Sequence, residues 1–165
     1  MPTIDPSLRP GKVTKWGEWV KSKPLVVNGA ESRWRILGKY DLVSTNDDGT
    51  IGLIDCKVSD SQRDSGQFYS PQLEAYAYSL ENPAAGKSQS VASIGLLVWK
   101  PTTAIGVSVD DYGFGVFQKY VPVERDQANF LKVIGEFIDV LEGELPDAGP
   151  ECQTCNYLVA RNALD

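Results

Sequence analysis

An acid and a lysine alternate along one strand-like segment, residues 53–58, which reads Leu-Ile-Asp-Cys-Lys-Val. The period of two along a β-strand puts Leu53, Asp55 and Lys57 on the same face. Charged groups on so apolar a strand are costly unless they pair with each other or bind a ligand. This segment alone is therefore consistent with a plain ion pair between Asp55 and Lys57 and with a functional site.

A second acid, Asp41, lies in the preceding apolar segment, residues 38–43. Whether the two acids meet depends on the register of the hairpin between them. A three-residue loop over 47–49, with its glycine in the left-handed region, sets Asp41 opposite Asp55, about 5 Å apart at Cβ. A two-residue turn would set Asp41 against Cys56 and separate the acids. The site hypothesis therefore requires the three-residue loop.

Two adjacent carboxylates repel each other, and a hard divalent cation with oxygen ligands relieves the repulsion. We expect Mg²⁺ or Mn²⁺ between Asp41 and Asp55, with the main-chain carbonyl of Cys56 as a further oxygen ligand. A metal there would polarise a phosphodiester and acidify a bound water, while Lys57 would orient that water. The predicted chemistry is hydrolysis of a nucleic-acid backbone.

The elements that must position these residues follow from apolar periodicity and turn signals. We predict a helix over 13–21, strands over 25–27, 34–45 and 51–58, a helix from Pro71 to about Leu80 with Ser70 as its N-cap, strands over 91–99 and 115–121, and a long amphipathic helix over 124–142. Loops are predicted over 59–69 and around Pro101. This order indicates an α/β domain in which a central mixed β-sheet, a β-meander plus later strands, is flanked by helices.

The second predicted helix carries two polar residues, Gln72 and Tyr76, four positions apart. They lie on one stripe near the helix N-terminus, beside the apolar face of Leu73, Ala77 and Leu80. A tyrosine at the edge of the core with a solvent-facing glutamine would give the same pattern. The two strands with their acids favour a functional role.

Length and composition limit the alternatives. A chain of 165 residues corresponds to one domain, which we divide into an N-terminal extension (1–10), a core domain (11–145) and a tail with a cysteine pair (146–165). No apolar run is long enough to cross a membrane, and the first ten residues resemble no targeting signal, so we expect a cytoplasmic protein. The absence of histidine excludes Ser-His and Cys-His nucleophiles, HExxH zinc hydrolases and Cys2His2 fingers.

Charge is unevenly distributed, although the net charge is −6. The first quarter of the chain is rich in basic residues, Lys12, Lys15, Lys21, Lys23, Arg33, Arg35 and Lys39. They would form either a phosphate-binding rim near Asp41 or a solvated surface. Four tryptophans, Trp16, Trp19, Trp34 and Trp99, have spacings that favour core packing over base stacking.

Three short motifs in order carry a family resemblance: Gly38-Lys-Tyr-Asp41, Ile54-Asp-Cys-Lys57 and Gln72-Leu-Glu-Ala-Tyr76. Over roughly residues 10–158 the chain resembles the RecB-like, CRISPR-associated-exonuclease-like group of PD-(D/E)xK nucleases. The resemblance implies a restriction-endonuclease-like core. It also implies that Asp41, Asp55, Lys57, Gln72 and Tyr76 form the catalytic site, and that Gln72 and Tyr76 contact the metal site or DNA. From the basic residues near Asp41, we add Lys39 and Arg35 to Tyr76 as candidates for DNA contact.

Two features depart from the family pattern. Many relatives place a histidine or glutamate on the first helix near the metal, and here Glu18 is the candidate, although a solvated helix face suits it equally. The pair Cys152 and Cys155 resembles the remnant of a C-terminal cysteine cluster. Four thiolates are the norm for an iron–sulfur cluster or structural zinc, so a structural role or a relic is the better interpretation.

We therefore expect a Mg²⁺-dependent deoxyribonuclease, of exonuclease type, that acts on DNA ends or single strands in repair, recombination or phage replication. The alternative is a non-catalytic nucleic-acid-binding or assembly module that keeps the nuclease fold. A protein partner or homo-oligomer is left open, and no membrane association is expected.

Overall fold

Among the residues that the structure describes, five strands form the main sheet, and two two-stranded sheets accompany it. The computed structural model describes residue 8 and residues 11–27, 29–59, 66–108, 111–144 and 149–163. Its contacts divide it into two compact units, 1–132 and 133–165. The elements are β1 (Gly11–Trp16), β2 (Trp19–Lys21), β3 (Val26–Val27), β4 (Ala30–Glu31), β5 (Leu37–Lys39), β6 (Leu42–Asn46), β7 (Ile51–Val58), α1 (Gly66–Glu81), β8 (Val91–Ser108), β9 (Asp111–Val123), α2 (Gln127–Glu142) and α3 (Gln153–Asn162).

The main sheet is mixed, in the order β1-β6-β7-β8-β9. Strands β7 and β8 pair in parallel, and every other neighbouring pair of this sheet is antiparallel. A parallel pair needs a crossover connection, and α1 supplies it between β7 and β8. The predicted α/β class with a central mixed sheet is confirmed.

The core lies between one face of this sheet and α1. Val43, Leu53 and Leu96 from the strands meet Leu73 and Ala77 of the helix, and all five are at most 1% exposed. Burying a leucine of this kind stabilises the fold by roughly 1.5–3 kcal/mol. Because Asp55 and Lys57 share the face of Leu53, this packing brings the start of α1 over them.

A buried ion-pair network holds α1 in place. The guanidinium of Arg125 reaches Glu74 (Nη2 to Oε2, 3.1 Å) and Glu81 (Nη1 to Oε1, 2.6 Å), and it also donates to the carbonyl of Val91 at 2.9 Å. The other Glu74 oxygen accepts from the backbone N–H of Asp126 at 2.7 Å. Hydrogen bonding to Glu81 raises the pKa of Arg125 and outweighs the opposing effect of burial. The network ties the helix to the start of β8 and to the segment that enters α2.

The predicted first helix, over 13–21, is wrong. Residues 11–16 form β1, an edge strand paired with β6, and residues 19–21 form β2, paired with β5. Gly17, at φ +59°, separates the two strands. The helix-like spacing of Val13, Trp16 and Val20 is overridden by pairing with strands about 20 to 30 residues further along the chain.

Three further predictions need correction. Helix α1 begins at Gly66, so Pro71 lies inside it and Ser70 is no N-cap; residues 60–65 of the predicted loop lie outside the described residues. The loop predicted around Pro101 is strand, because β8 continues through Pro101 with a register irregularity before Ala104. The C-terminal tail contains a helix, α3, which no pattern predicted.

Core packing is also wrong for two of the four tryptophans. Trp16 and Trp19 are 70% and 69% exposed, whereas Trp34 and Trp99 are partly buried.

In the second unit, Ile138 of α2 is buried and α3 has no buried residue. Across the described residues, the helices are too short or too polar to cross a membrane.

Candidate active site

Asp41 lies in a break between two strands. The segment 34–45 was predicted as one strand, but β5 ends at Lys39 and β6 begins at Leu42. The carbonyl of Asp41 accepts a hydrogen bond from the N–H of Gly17 at 2.8 Å, and its carboxylate accepts one from the N–H of Cys56 at 2.7 Å. The side chain of Asp41 thus takes the place of a backbone acceptor at the end of β6.

The hairpin between β6 and β7 has the three-residue loop that the site requires. The N–H of Asn46 donates to the carbonyl of Thr50 at 2.8 Å, and Gly49 has φ +78°. Leu42 pairs with Ile54 in the ladder, so the residues one step further out, Asp41 and Asp55, stand opposite each other. The predicted loop and register are confirmed.

Asp55 is buried and touches a cation. It is 4% exposed, and its Oδ2 lies 2.7 Å from the Nζ of Lys57. The same ammonium lies over the ring of Tyr69, 4.5 Å from its centroid. Lys57 is therefore held between a carboxylate and an aromatic face, which fixes the position of its positive charge.

The charges of the site shift one another's protonation. Burial raises the pKa of Asp55, Lys57 opposes that rise, and the carboxylate of Asp41 adds to it. Burial alone would lower the pKa of Lys57, but its ion pair with Asp55 raises it on balance. Burial also raises the pKa of the Cys56 thiol. Lys57 thus carries a positive charge at neutral pH.

The two carboxylates suit a hard divalent cation. The carboxylate of Asp55 is buried, and its Oδ2 lies 2.7 Å from the ammonium of Lys57. The N–H of Cys56 points toward Asp41, and the carbonyl of a strand residue leaves on the same side as its N–H. Within the described part of the chain no three His, Cys, Asp or Glu side chains come together. The fitting ligand set is therefore two carboxylates and one carbonyl, as Mg²⁺ accepts when water fills the other positions.

Comparison with known proteins identifies the family of the chain. The family model of the PD-(D/E)XK nuclease superfamily matches residues 8–160, nearly the whole chain. The chain belongs to the PD-(D/E)XK nuclease superfamily. No curated protein sequence matches it significantly. Among solved structures, the crystal structure of SSO0001 is similar with a TM-score of 0.46 and 17% identity, over 88% of this chain and 58% of that one. The chain thus spans less than two thirds of the length of that structure.

Gln72 and Tyr76 lie together on α1 of this PD-(D/E)XK chain. The Nε2 of Gln72 donates to the hydroxyl of Tyr76 at 2.9 Å. The ring of Tyr76 packs on Gly38, where an added Cβ would lie 2.5 Å from Cε1. Gly38 precedes Asp41 by three residues, so Tyr76 packs on the strand that leads to the first acid.

Tyr69 is a site residue that the sequence reasoning missed. It belongs to α1, three residues before Gln72 and seven before Tyr76, so all three share one helical stripe. The spacing would have revealed it, but the Ser70-Pro71 signal placed the helix start after Tyr69. Its ring carries the Lys57 contact described above.

Glu18 points elsewhere. It lies between β1 and β2 rather than on a helix, and its Oε2 accepts from the hydroxyl of Tyr40 at 2.8 Å and lies 3.9 Å from the Nζ of Lys15. Burial, and then Glu18, raise the pKa of Tyr40. Among the described residues, Glu18 does not form a three-acid group with Asp41 and Asp55 that could hold a metal ion. The candidate metal ligands are therefore Asp41, Asp55 and the Cys56 carbonyl.

The two basic residues predicted to contact DNA differ in their surroundings. Lys39 is exposed and stands opposite Trp19 in the β2–β5 pair. Arg35 is exposed too, but its Nη1 donates to the carbonyl of Ser22 at 3.3 Å. Lys39 is thus the more available of the two for a phosphate.

The cysteine pair begins α3. The two free thiols lie 2.7 Å apart, and the Sγ of Cys152 accepts from the N–H of Cys155 as the helix N-cap. The hydrogen bond between the two thiols lowers the pKa of Cys152 and raises that of Cys155. No third ligand joins them among the residues described. The pair has a local structural role at the helix start.

Proposed function

We propose that this PD-(D/E)XK chain is a nuclease that hydrolyses DNA phosphodiester bonds with Mg²⁺ or Mn²⁺, as an exonuclease of the RecB-like group. The observation that carries the proposal is the placement of Asp41 opposite Asp55 with the ammonium of Lys57 2.7 Å from Asp55. DNA repair, recombination and phage replication are the processes that need such an enzyme.

Each residue of the site has a separate task in this mechanism. Asp41, fixed by the N–H of Cys56, and the buried Asp55 would hold the metal together with the Cys56 carbonyl. The metal would supply Lewis-acid polarisation of the phosphate and activation of a bound water. Lys57, kept protonated by Asp55, orients the attacking water and offsets negative charge that develops on the phosphate.

The remaining residues position the substrate. Gln72 and Tyr76, joined by their hydrogen bond, present amide and phenol groups from α1 toward the strand of Asp41 and contact the metal site or DNA. Tyr69 holds the ammonium of Lys57. Lys39 and Arg35 bind backbone phosphates. Lys39 makes the larger contribution to this binding, because Arg35 also donates to the carbonyl of Ser22.

The test is metal-dependent cleavage of end-labelled single-stranded and duplex DNA. Wild type is expected to cleave in Mg²⁺ or Mn²⁺, whereas Asp55→Ala and Lys57→Ala each lose on the order of 100-fold or more in rate. Asp47→Ala is the matched control, because Asp47 is an exposed aspartate in the same hairpin. Cleavage that survives both site substitutions would rule out this site.

The exonuclease assignment needs a substrate without ends. Linear single strands should be degraded, whereas a closed circular single strand of the same sequence should stay intact. Cutting of the circle at a similar rate would make the enzyme an endonuclease and leave the metal site unaffected.

A second candidate is a non-catalytic nucleic-acid-binding or assembly module that retains the fold. It is favoured by the carboxylate of Glu18, which contacts Tyr40 and Lys15 and leaves two acids at the site instead of three. Wild-type protein that binds DNA but cleaves neither substrate in Mg²⁺ or Mn²⁺ would support this function.

A further inference from the structure

Trp19 is an exposed aromatic side chain on strand β2. Its side chain is 69% exposed on strand β2, although tryptophan usually buries most of its surface. Its direct neighbour across the β2–β5 pair is Lys39, so both side chains lie on the same face of that two-stranded sheet. An exposed indole next to a lysine is a typical arrangement for stacking an unpaired base beside its phosphate.

Trp19 lines a cavity of about 410 Å³. That volume lies within the range of small-ligand sites. Three lysines line it, Lys15, Lys21 and Lys87, against one acid, Glu18, which also contacts Lys15. The cavity therefore has an excess of positive charge in a chain whose net charge is −6, and an anionic ligand with a flat ring complements it.

The chain segments that line this cavity are linked by backbone hydrogen bonds to the segment of Asp41. Tyr40 lines the cavity, and the next residue is Asp41. The N–H of Gly17 donates to the carbonyl of Asp41, and the N–H of Tyr40 donates to the carbonyl of Glu18 at 3.2 Å, so the segment carrying Trp19 is bonded to the segment carrying the acid. Trp19 and Asp41 therefore belong to neighbouring, hydrogen-bonded segments.

We propose that this cavity binds one unpaired nucleotide of single-stranded DNA, with the base stacked on Trp19 and the adjacent phosphates neutralised by Lys21, Lys87 and Lys39. The proposal rests on the proposed function in one respect, that the substrate is DNA. It adds a selectivity for unpaired strands, because a base inside a duplex is already stacked on its neighbours and cannot lie on an indole.

The experiment measures binding of a fluorescein-labelled 12-mer of deoxythymidine by anisotropy, in EDTA and low salt so that no cleavage occurs. Trp19→Ala is expected to weaken binding roughly fivefold to a hundredfold, the effect of losing one base–aromatic stack. Trp19→Phe should restore most of the affinity. Trp16→Ala is the matched control, because Trp16 is equally exposed, 70%, three residues away and outside the cavity lining.

The lysines provide a second readout. Lys87→Ala should reduce the slope of log affinity against log salt by about 0.7, the value for one phosphate of a single strand. Lys119→Ala, an exposed lysine of β9 at the opposite edge of the sheet, should leave the slope unchanged. A blunt duplex of equal length should bind at least tenfold more weakly than the 12-mer.

The outcomes separate this proposal from the nuclease proposal. Equal affinities for wild type and Trp19→Ala, equal losses in Trp16→Ala and Trp19→Ala, or equal binding of duplex and single strand would each overturn the nucleotide site, even if the enzyme cleaves DNA. Binding that depends on Trp19 in a protein that cleaves nothing would sustain the site and overturn the nuclease.

Discussion

The carboxylate of Asp55 is buried near the positive charge of Lys57 and the negative charge of Asp41. Its ionised form costs free energy in the folded chain, and a bound cation can remove that cost. Its pKa is raised from the usual 3.8, because burial and Asp41 together outweigh Lys57. A raised pKa in the folded chain means that the ionised form destabilises the fold. That penalty is fully present at pH values above the raised pKa. It disappears as the pH falls below the pKa that the Asp55 carboxyl has in the unfolded chain.

We expect Asp55→Asn to raise the free energy of unfolding by about 0.5–2 kcal/mol in EDTA at pH 7.5, because it removes a charge from a buried position. The gain should shrink toward pH 4. Urea unfolding across this pH range measures it. Asp47→Asn, at an exposed position of the hairpin loop, should change the stability by less than about 0.5 kcal/mol.

Added metal should make the wild type more stable than Asp55→Asn. Mg²⁺ or Mn²⁺ at 100 times its dissociation constant would stabilise the wild type by about 2.7 kcal/mol and Asp55→Asn by much less. A metal-induced rise in melting temperature that is the same in both proteins would mean that the ion binds elsewhere.

Gly38 illustrates a different constraint, that of space. A Cβ at this position would lie 2.5 Å from Cε1 of Tyr76, so the ring would have to move. We predict that Gly38→Ala costs about 1–3 kcal/mol of stability and lowers nuclease activity through displacement of Tyr76. In a Tyr76→Ala background the same change should cost little. Additive losses in this double-mutant cycle would show that Tyr76 is not the obstacle.

At the scale of elements, the parts predictable from sequence are those with local signals. The strand alternation at Asp55 and Lys57 and the turn ending at Gly49 depend on neighbours in the chain, and both were predicted. The strand character of Val13 and Trp16 depends on pairing with β6, which local periodicity does not contain. The break at Asp41 depends likewise on Gly17, 24 residues earlier in the sequence.

The position of α1 also depends on distant residues. Leu73 and Ala77 marked its apolar face in the sequence, but nothing there indicated that Glu74, at 1% exposure, is buried too. Its partner Arg125 lies 51 residues later. Only the folded chain brings the two together, so the network was unpredictable from either segment.

Arg125→Met is expected to destabilise the protein by about 3–5 kcal/mol, because it leaves the buried carboxylate of Glu74 without its cation. Chemical denaturation measures the loss. The double variant Arg125→Met, Glu74→Gln should recover a large part of it, since no buried charge then remains. A double variant no more stable than Arg125→Met would indicate that the loss comes from packing or from Glu81.

For the whole molecule, the distribution of charge predicts where the proposed substrate, DNA, would bind. Residues 11–39 carry seven basic and two acidic side chains, while the chain as a whole is acidic. We predict that single-stranded DNA protects Lys12, Lys21 and Lys39 from acetylation, measured by mass spectrometry, more than Lys119 and Lys132, all five of which are exposed. Uniform protection, or protection of the last two alone, would place the DNA on another surface.

The hydrogen bond between Asp41 and the N–H of Cys56 has a consequence for the evolutionary history of the chain. The carboxylate closes the end of a strand, and loss of that acceptor would leave a backbone donor inside the sheet unsatisfied, at about 1–3 kcal/mol. A lineage that gave up catalysis would still be selected to keep Asp, or Asn, at position 41. Retention of this residue in descendants is therefore no mark of an active enzyme, whereas retention of Lys57 is more informative.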